Sequence, residues 1–284
     1  MIDIKENNSF VLNCGGTLLN FAEPKVMGIL NITPDSFYDG GRYNSETAIL
    51  KKVEKMLSDG ADIIDIGAVS TKPSAEDVTP EIEKERLLPI LKLIKKTFSE
   101  SIVSVDTFRS SIAEMAINEG AVFINDIYAG VVDKNIFEIA ARNNIPIAMM
   151  HIQGTPKTMQ LNPTYSNVIT EVFDYFVERI DVAKSYGVKD ILVDVGFGFG
   201  KTLEHNYTIL KQLDFFKLLG YPLLVGVSRK SMIYKLLENT PQEALNGTTV
   251  LHTIALQNGA NILRVHDVKE AKECIKIVEM LKKN

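Results

Sequence analysis

The sequence predicts an α/β protein of the (β/α)8 TIM barrel type with a short hairpin extension at its N-terminus. Two observations carry that reading. Short apolar runs rich in β-branched residues recur eight times: VMGILNI from Val26, DIIDIG from Asp62, IVSVDT from Ile102, VFINDI from Val122, PIAMMH from Pro146, ILVDVG from Ile191, PLLVGVS from Pro222 and NILRVHD from Asn261. Stretches of helical periodicity separate them, and several of these stop at a glycine just before the next run: Gly60, Gly120, Gly187, Gly220 and Gly259.

Each element has a local reason. Residues 1–25, with FVLNCGGTLLNF around Gly15-Gly16, read as a hairpin extension placed to close the barrel bottom. Residues 26–284 read as one barrel domain. Near-continuous apolar runs suit strands buried on both faces, the mark of a parallel sheet. SETAILKKVEKMLSDG sets Ala48, Leu50, Val53, Met56 and Leu57 at helical spacing, and EIEKERLLPILKLIKKTF repeats the pattern. Glycine at the stops takes the left-handed turn that ends a helix. Eight strand-then-helix units in about 260 residues, without a linker or low-complexity break, favour a closed barrel over an open doubly wound sheet.

The totals limit the function classes. A chain of 284 residues, 45% hydrophobic and 24% charged, can bury a sizeable core. Its net charge of -5 argues against a nucleic-acid partner or an anionic membrane surface. Cys14 and Cys274 lie at opposite ends with no CxxC spacing, which fits a reducing cytosol. MIDIKENNSF lacks the basic-then-apolar order of a signal peptide, and no apolar run reaches membrane-span length. The expectation is a soluble cytoplasmic protein that handles small molecules.

DVGFGFGKT, Asp194 to Thr202, ends in Gly-Lys-Thr and invites a phosphate-loop reading. That loop needs glycine five residues before Gly200, and the position holds Val195. The dinucleotide fingerprint fails as well, because Gly196 and Gly198 would require a third glycine where Lys201 stands. What remains is a strand that delivers Asp194 near its carboxyl end, followed by a Gly/Phe loop.

In a barrel the carboxyl ends of the strands form the active face. Polar residues cluster there in this sequence: Asn31, Asp65, Asp106, Asn125 with Asp126, His151, Asp194, Ser228 to Lys230, and Arg264, His266 and Asp267. Any one of them taken alone is as well explained by helix capping or a turn. Eight consecutive strands ending this way are much harder to assign to capping.

Two chemistries meet at this mouth. Asp106, Asn125 and Asp194 supply acceptors and an amide for a donor-rich heterocycle edge. Lys230, Arg264 and His266 supply positive charge on the last two strands, where barrels commonly bind phosphate. A ligand with a nitrogen-rich ring at one end and phosphate at the other fits. Met149 or Met150, with Phe199, could wall a flat ring, and core packing explains such residues equally well. No HExxH, His-x-His pair or Cys cluster supports a tight zinc site, whereas magnesium held through Asn31 and substrate phosphates is plausible. TPDSFYDGGRYN from Thr33 and AVSTKPSAEDVTP from Ala68 are long for barrel loops. They suit lids or binding loops carrying Asp35 and Lys72, although solvated proline turns would have the same composition.

At these residues the chain resembles the pterin-binding dihydropteroate synthases of folate biosynthesis. The resemblance runs from Val26 to Asp267 through GILNITPDSFYDGG, STKP, SVDTFR, INDI, MHIQGTP, GFGFGK, GVSRKSMI and RVHD. It implies a (β/α)8 barrel enzyme that joins p-aminobenzoate to 6-hydroxymethyl-7,8-dihydropterin diphosphate. The products are 7,8-dihydropteroate and pyrophosphate, and Mg2+ assists. It further implies that Asp106, Asn125, Met150, Asp194, Gly198, Phe199 and Lys230 hold the pterin. Asn31, Lys72, Arg264 and His266 would hold the diphosphate, with Asn31 on magnesium. Phe37, Thr71, Pro73, Phe199, Lys230 and Ser231 would line the p-aminobenzoate pocket. Asp35, Lys72, Asp106 and Lys230 would serve catalysis, with Asp35 and the closed loops shielding a cation at the pterin methylene after pyrophosphate leaves. A homodimer and competition by sulfonamides are also implied.

Three positions depart from the family pattern. The usual DPG reads Asp194-Val195-Gly196, which frees one backbone torsion and leaves the carboxylate in place. The common STRPG reads Ser70 to Ser74 as STKPS, exchanging a planar guanidinium for the point charge of Lys72. A glutamate common just before STRP is Val69. Rival readings are a pterin-binding methyltransferase serving a corrinoid protein, an idle pterin-binding domain in a folate-pathway assembly, and, at fold level, a sugar-phosphate aldolase. The first needs neither the TPDSF loop nor the SRK group, the second would bind pterin without turnover, and for the third no lysine sits unambiguously inside a strand to form a Schiff base.

Overall fold

The computed structural model describes residues 10–32, 42–70, 78–155 and 158–283. Two strands, β1 (Val11–Cys14) and β2 (Thr17–Asn20), form the antiparallel hairpin. Gly15 and Gly16 both take positive φ, +60° and +97°, and so make the tight turn whose twist matches paired strands.

The barrel strands are β3 (Lys25–Asn31), β4 (Ile63–Gly67), β5 (Ile102–Asp106), β6 (Phe123–Asp126), β7 (Ile147–Met150), β8 (Ile191–Asp194), β9 (Leu223–Val225) and β10 (Ile262–Val265). Each pairs in parallel with its neighbours, and β10 returns to β3 to close the barrel. Every apolar run singled out in the sequence is one of these strands. The helices between them are α1 (Arg42–Ser58), α2 (Pro80–Thr97), α3 (Ser110–Asn118), α4 (Asn135–Asn143), α5 (Val168–Ser185), α6 (Leu203–Lys211), α7 (Ser231–Tyr234), α8 (Leu245–Gln257) and α9 (Val268–Lys283). Gly60, Gly120, Gly187, Gly220 and Gly259 all take positive φ, as the helix stops require.

Two details differ from the periodicity. The stretch before Gly220 divides into α6 and a 3-10 helix, Leu213–Leu219. The helical pattern over 241–258 becomes regular only at Leu245, because Thr240 and Glu243 close a turn around Pro241 through side-chain and backbone hydrogen bonds.

The core has two parts. One lies between the strands and the surrounding helices and contains Val26, Leu30, Ile64, Val105, Met149 and Val193 among many others. The second fills the lower barrel: Met27, Ile63, Phe123, Ala148, Leu192, Leu224 and Ile262 point inward and meet Leu12, Cys14, Leu19 and Phe21 of the hairpin. The backbone N–H of Asn13 also donates to Asp190 at 2.9 Å. The hairpin therefore plugs the bottom, and the opposite end is left to carry polar groups.

Candidate active site at the carboxyl ends of the strands

Strand register brings the polar ends together. Asp106 stands opposite Asn125, and Met150 opposite Asp194. A cleft opens between them, lined by Asp106, Asn125, Ile127, Met150, Asp194, Phe199, Gly226, Lys230 and Arg264. Its mixed polar and apolar lining suits a small heterocycle. Of the two methionines, Met150 lines the cavity and Met149 packs outward against the helices, because successive strand residues face opposite ways.

Asp194 is nearly buried, and one of its oxygens accepts the Gly196 N–H at 2.8 Å. Its second oxygen has no hydrogen bond among the described residues. Burial raises the pKa of this carboxyl, while Lys230 and the Gly196 amide work against that shift. Asn125 donates to Asp65 at 3.0 Å, and Arg264 donates to Asp65 at 2.7 Å and to Asp106 at 2.6 Å. One wholly buried carboxylate, Asp65, thus holds two cavity side chains through a single oxygen, and its other oxygen has no protein partner among the described residues. Burial disfavours the Arg264 charge, but Asp65 and Asp106 together more than offset it and the pKa is raised. Burial pushes Asp106 up to about 7; Arg264 opposes the shift, and Asp65, Glu83 and Asp126 add to it.

Lys230 caps α7, donates to the Phe197 carbonyl at 2.6 Å and lies 4.7 Å from the centre of the Phe199 ring. Burial lowers its pKa to about 8, moderated by Asp194 and Asp106. The Gly198 backbone runs beside its stem, and Ser231 follows it at the start of α7.

Asn31 and His266 stand at the carboxyl ends of neighbouring β3 and β10, on the rim rather than in the cavity lining. His266 corrects one expectation, for it does not add positive charge. Burial and the adjacent Arg264 push its pKa down to about 4. The Ser228 hydroxyl accepts the His266 backbone N–H at 3.1 Å and faces Nδ1 at 3.0 Å; when that hydroxyl donates to Nδ1, the neutral ring carries its proton on Nε2.

Other mouth residues prove to be scaffolding, as capping chemistry allows. Asp126 accepts the Tyr128 and Gly130 N–H groups, and Arg229 pairs with Asp267 through two 2.8 Å hydrogen bonds while donating to the Pro241 and Gln242 carbonyls. His151 lies under the mouth against Lys201. Asp35, Phe37, Thr71, Lys72, Pro73 and Ser74 lie outside the described residues. Sequence reasoning gave no role to Lys201 or to Asp65 as a bridge. The signal for Lys201 was on the page in the near-miss GKT motif.

Among the described residues no cluster of three or more His, Cys, Asp or Glu side chains is arranged to hold a metal. Asn31, exposed at the end of β3, offers one amide oxygen on the rim. Among the described residues no helix is long and apolar enough to cross a membrane.

Comparison with known proteins places this architecture. Residues 27–266 match the family model described as pterin binding enzyme. The dihydropteroate synthase of Escherichia coli K12 is 45% identical over 266 residues, 93% of this chain and 94% of that protein. That of Bacillus subtilis is 40% identical over 258 residues, 90% and 88% of the two chains. Among solved structures, the Yersinia pestis dihydropteroate synthase in a sulfonamide drug complex superposes with a TM-score of 0.90 at 40% identity, covering 97% of this chain and 100% of that one. The Xanthomonas albilineans enzyme with 4-aminobenzoic acid gives 0.90 at 35% identity, covering 97% and 99%.

Proposed function

The chain belongs to the dihydropteroate synthase family of pterin-binding enzymes, and on that premise we propose how its barrel mouth divides the labour of the family's reaction. The enzyme condenses 6-hydroxymethyl-7,8-dihydropterin diphosphate with p-aminobenzoate to give 7,8-dihydropteroate and pyrophosphate. The open oxygen of Asp194 accepts from the 2-amino and N3 edge of the pterin. Asn125 and Asp106 complete the polar wall, Met150 and Phe199 border the ring, and Lys230 adds a cation at the same wall.

Asn31, Arg264 and neutral His266 face the diphosphate. Charge grows on its oxygens as the C–O bond breaks, and fixed donors there stabilise the transition state more than the ground state. Asn31 would be the protein's contact to magnesium, and the ion would supply charge neutralisation on the diphosphate. Departure of pyrophosphate leaves a cation at the pterin methylene that the electron-rich ring delocalises. The arylamine nitrogen attacks it, forms the C–N bond and sheds a proton. Asp35 and Lys72 serve this step from their loops, and Phe37, Thr71, Pro73, Phe199, Lys230 and Ser231 receive p-aminobenzoate.

The single observation that carries this assignment is the Asp194 carboxylate, locked by Gly196 on one oxygen and open to the cavity on the other. The test is incubation with both substrates and magnesium, reading dihydropteroate by mass and pyrophosphate release. Product that vanishes without p-aminobenzoate is expected. Pterin binding without turnover would move weight to an idle domain. Since relatives hold 4-aminobenzoic acid or a sulfonamide drug, sulfonamides should compete with p-aminobenzoate in that assay. A homodimer is part of the same proposal: Val250 on α8 and Ile277, Met280 and Leu281 on α9 are exposed apolar residues on two adjacent helices. Sedimentation velocity would detect it.

A further inference from the structure

The loop after β8 is fastened at nearly every peptide. Gly196, Gly198 and Gly200 take φ of +70°, +81° and +63°, which turns their backbone groups toward outside partners. The Phe197 carbonyl accepts from Lys230, the Gly198 N–H donates to Asn206, the Gly198 carbonyl accepts from Gln160, and the Gly200 carbonyl accepts from Tyr165. The remaining two carbonyls, of Gly196 and Phe199, both accept from Lys201 Nζ at 3.1 Å. Lys201 is 2% exposed, and its Nζ also meets the end of β7, at His151 Nδ1 (2.9 Å) and the His151 carbonyl (3.4 Å).

Burial pushes the Lys201 pKa down to about 7, with Lys230 adding to the shift and Asp194 opposing it, so near neutral pH both the ammonium and the amine occur. The surrounding geometry matches the ammonium. An ammonium has three N–H donors, and four acceptors converge on it. His151 Nδ1 is one of them in the tautomer protonated at Nε2, and burial with Lys201 keeps the ring neutral by pushing its pKa down to about 2. The Phe199 ring lines the cavity, and its own carbonyl is one of the two that Lys201 holds.

We propose that Lys201, braced by His151, is a positioning residue that sets the Phe199 ring at the substrate cavity. The inference rests on reading that cavity as the pterin and p-aminobenzoate site. Lys201 ties the first and fourth residues of the loop to the neighbouring strand, so it fixes the angle at which Phe199 meets the substrates. It touches no substrate itself, and its effect passes through Phe199.

The test is a double-mutant cycle on the full chain with Lys201→Met and Phe199→Ala, reading kcat, KM for both substrates, calorimetric affinity for the pterin diphosphate, and melting temperature. Lys201→Met should raise KM roughly tenfold with kcat changed less than about threefold, the split expected when binding contacts made equally in the ground and transition states are lost. In the Phe199→Ala background the same substitution should change KM by less than about twofold, since coupled residues are non-additive. If Lys201→Met does not fold, His151→Asn, which keeps an acceptor, is compared with His151→Leu, which does not. The asparagine should hold KM near that of the parent and the leucine should raise it. Effects that multiply independently in the cycle, a loss confined to kcat, or equal KM for the two His151 variants would overturn the assignment while the parent still turns over. A parent that makes no dihydropteroate would instead overturn the reading of the site, and this inference with it.

Discussion

Asp194 shows how a side chain acquires a function by having half of its hydrogen-bonding capacity spent by the backbone. The Gly196 N–H fixes the carboxylate and the free oxygen faces the cavity. Asp194→Ala should therefore abolish measurable pterin binding in calorimetry while the melting temperature stays within a few degrees. Unchanged affinity would refute the assignment. His252 is the opposite case, a buried residue with no protein partner for either ring nitrogen among the described residues. Burial pushes its pKa down to about 4 from 6.5, and Asp267 only partly opposes this. The unfolded chain then binds the extra proton between those values, so stability falls as pH drops below 6.5 and the loss levels off below about 4. The full term is about 3 kcal/mol. His252→Leu should be neutral or stabilising at pH 7.5 and should flatten that part of the acid limb. Chemical denaturation of both proteins between pH 4 and 7.5 would measure it, and parallel curves would contradict it.

At the scale of elements, the loop from Gly196 to Gly200 works because three glycines allow backbone that other residues would strain. A Cβ at Gly196 would run into the His151 carbonyl oxygen, and one at Gly200 into the Gln153 carbonyl oxygen. Both positions also have positive φ. Gly200→Ala should cost roughly 1–3 kcal/mol of stability from strain and more in kcat/KM than in melting temperature, because the displaced loop carries Phe199. Equal kcat/KM in parent and variant would show the loop to be indifferent. The sequence marked this loop by its glycines but misdirected attention to phosphate. Motif spacing excluded a nucleotide, yet only the packing of β7 against β8 shows Lys201 turned inward to four acceptors. His266 was misjudged for a related reason, since its charge depends on burial and on Arg264, neither of which spacing reveals.

For the whole molecule, closure of the barrel sends its two ends to different work. The hairpin supplies the bottom with Leu12, Cys14, Leu19 and Phe21, and so the top is free to open a cavity. Leu12→Ala should cost about 2–5 kcal/mol by leaving a cavity in that plug, read as a fall in melting temperature, with KM for both substrates unchanged. A raised KM would mean that the plug and the mouth are coupled. Local pattern alone was enough for the eight strands, the glycine stops, the closed α/β architecture and the set of polar residues at the strand ends, because strand periodicity and left-handed turns are local properties. It also carried the family through ordered motifs. Which strand-end residues serve the cavity and which brace it emerged from packing across the barrel. Asp65 gathers Asn125 and Arg264 across the barrel, Arg229 turns to Asp267, and Lys201 reaches back to His151. Those choices depend on contacts between residues up to 199 positions apart, and on a burial that sets charge, neither of which any local pattern encodes.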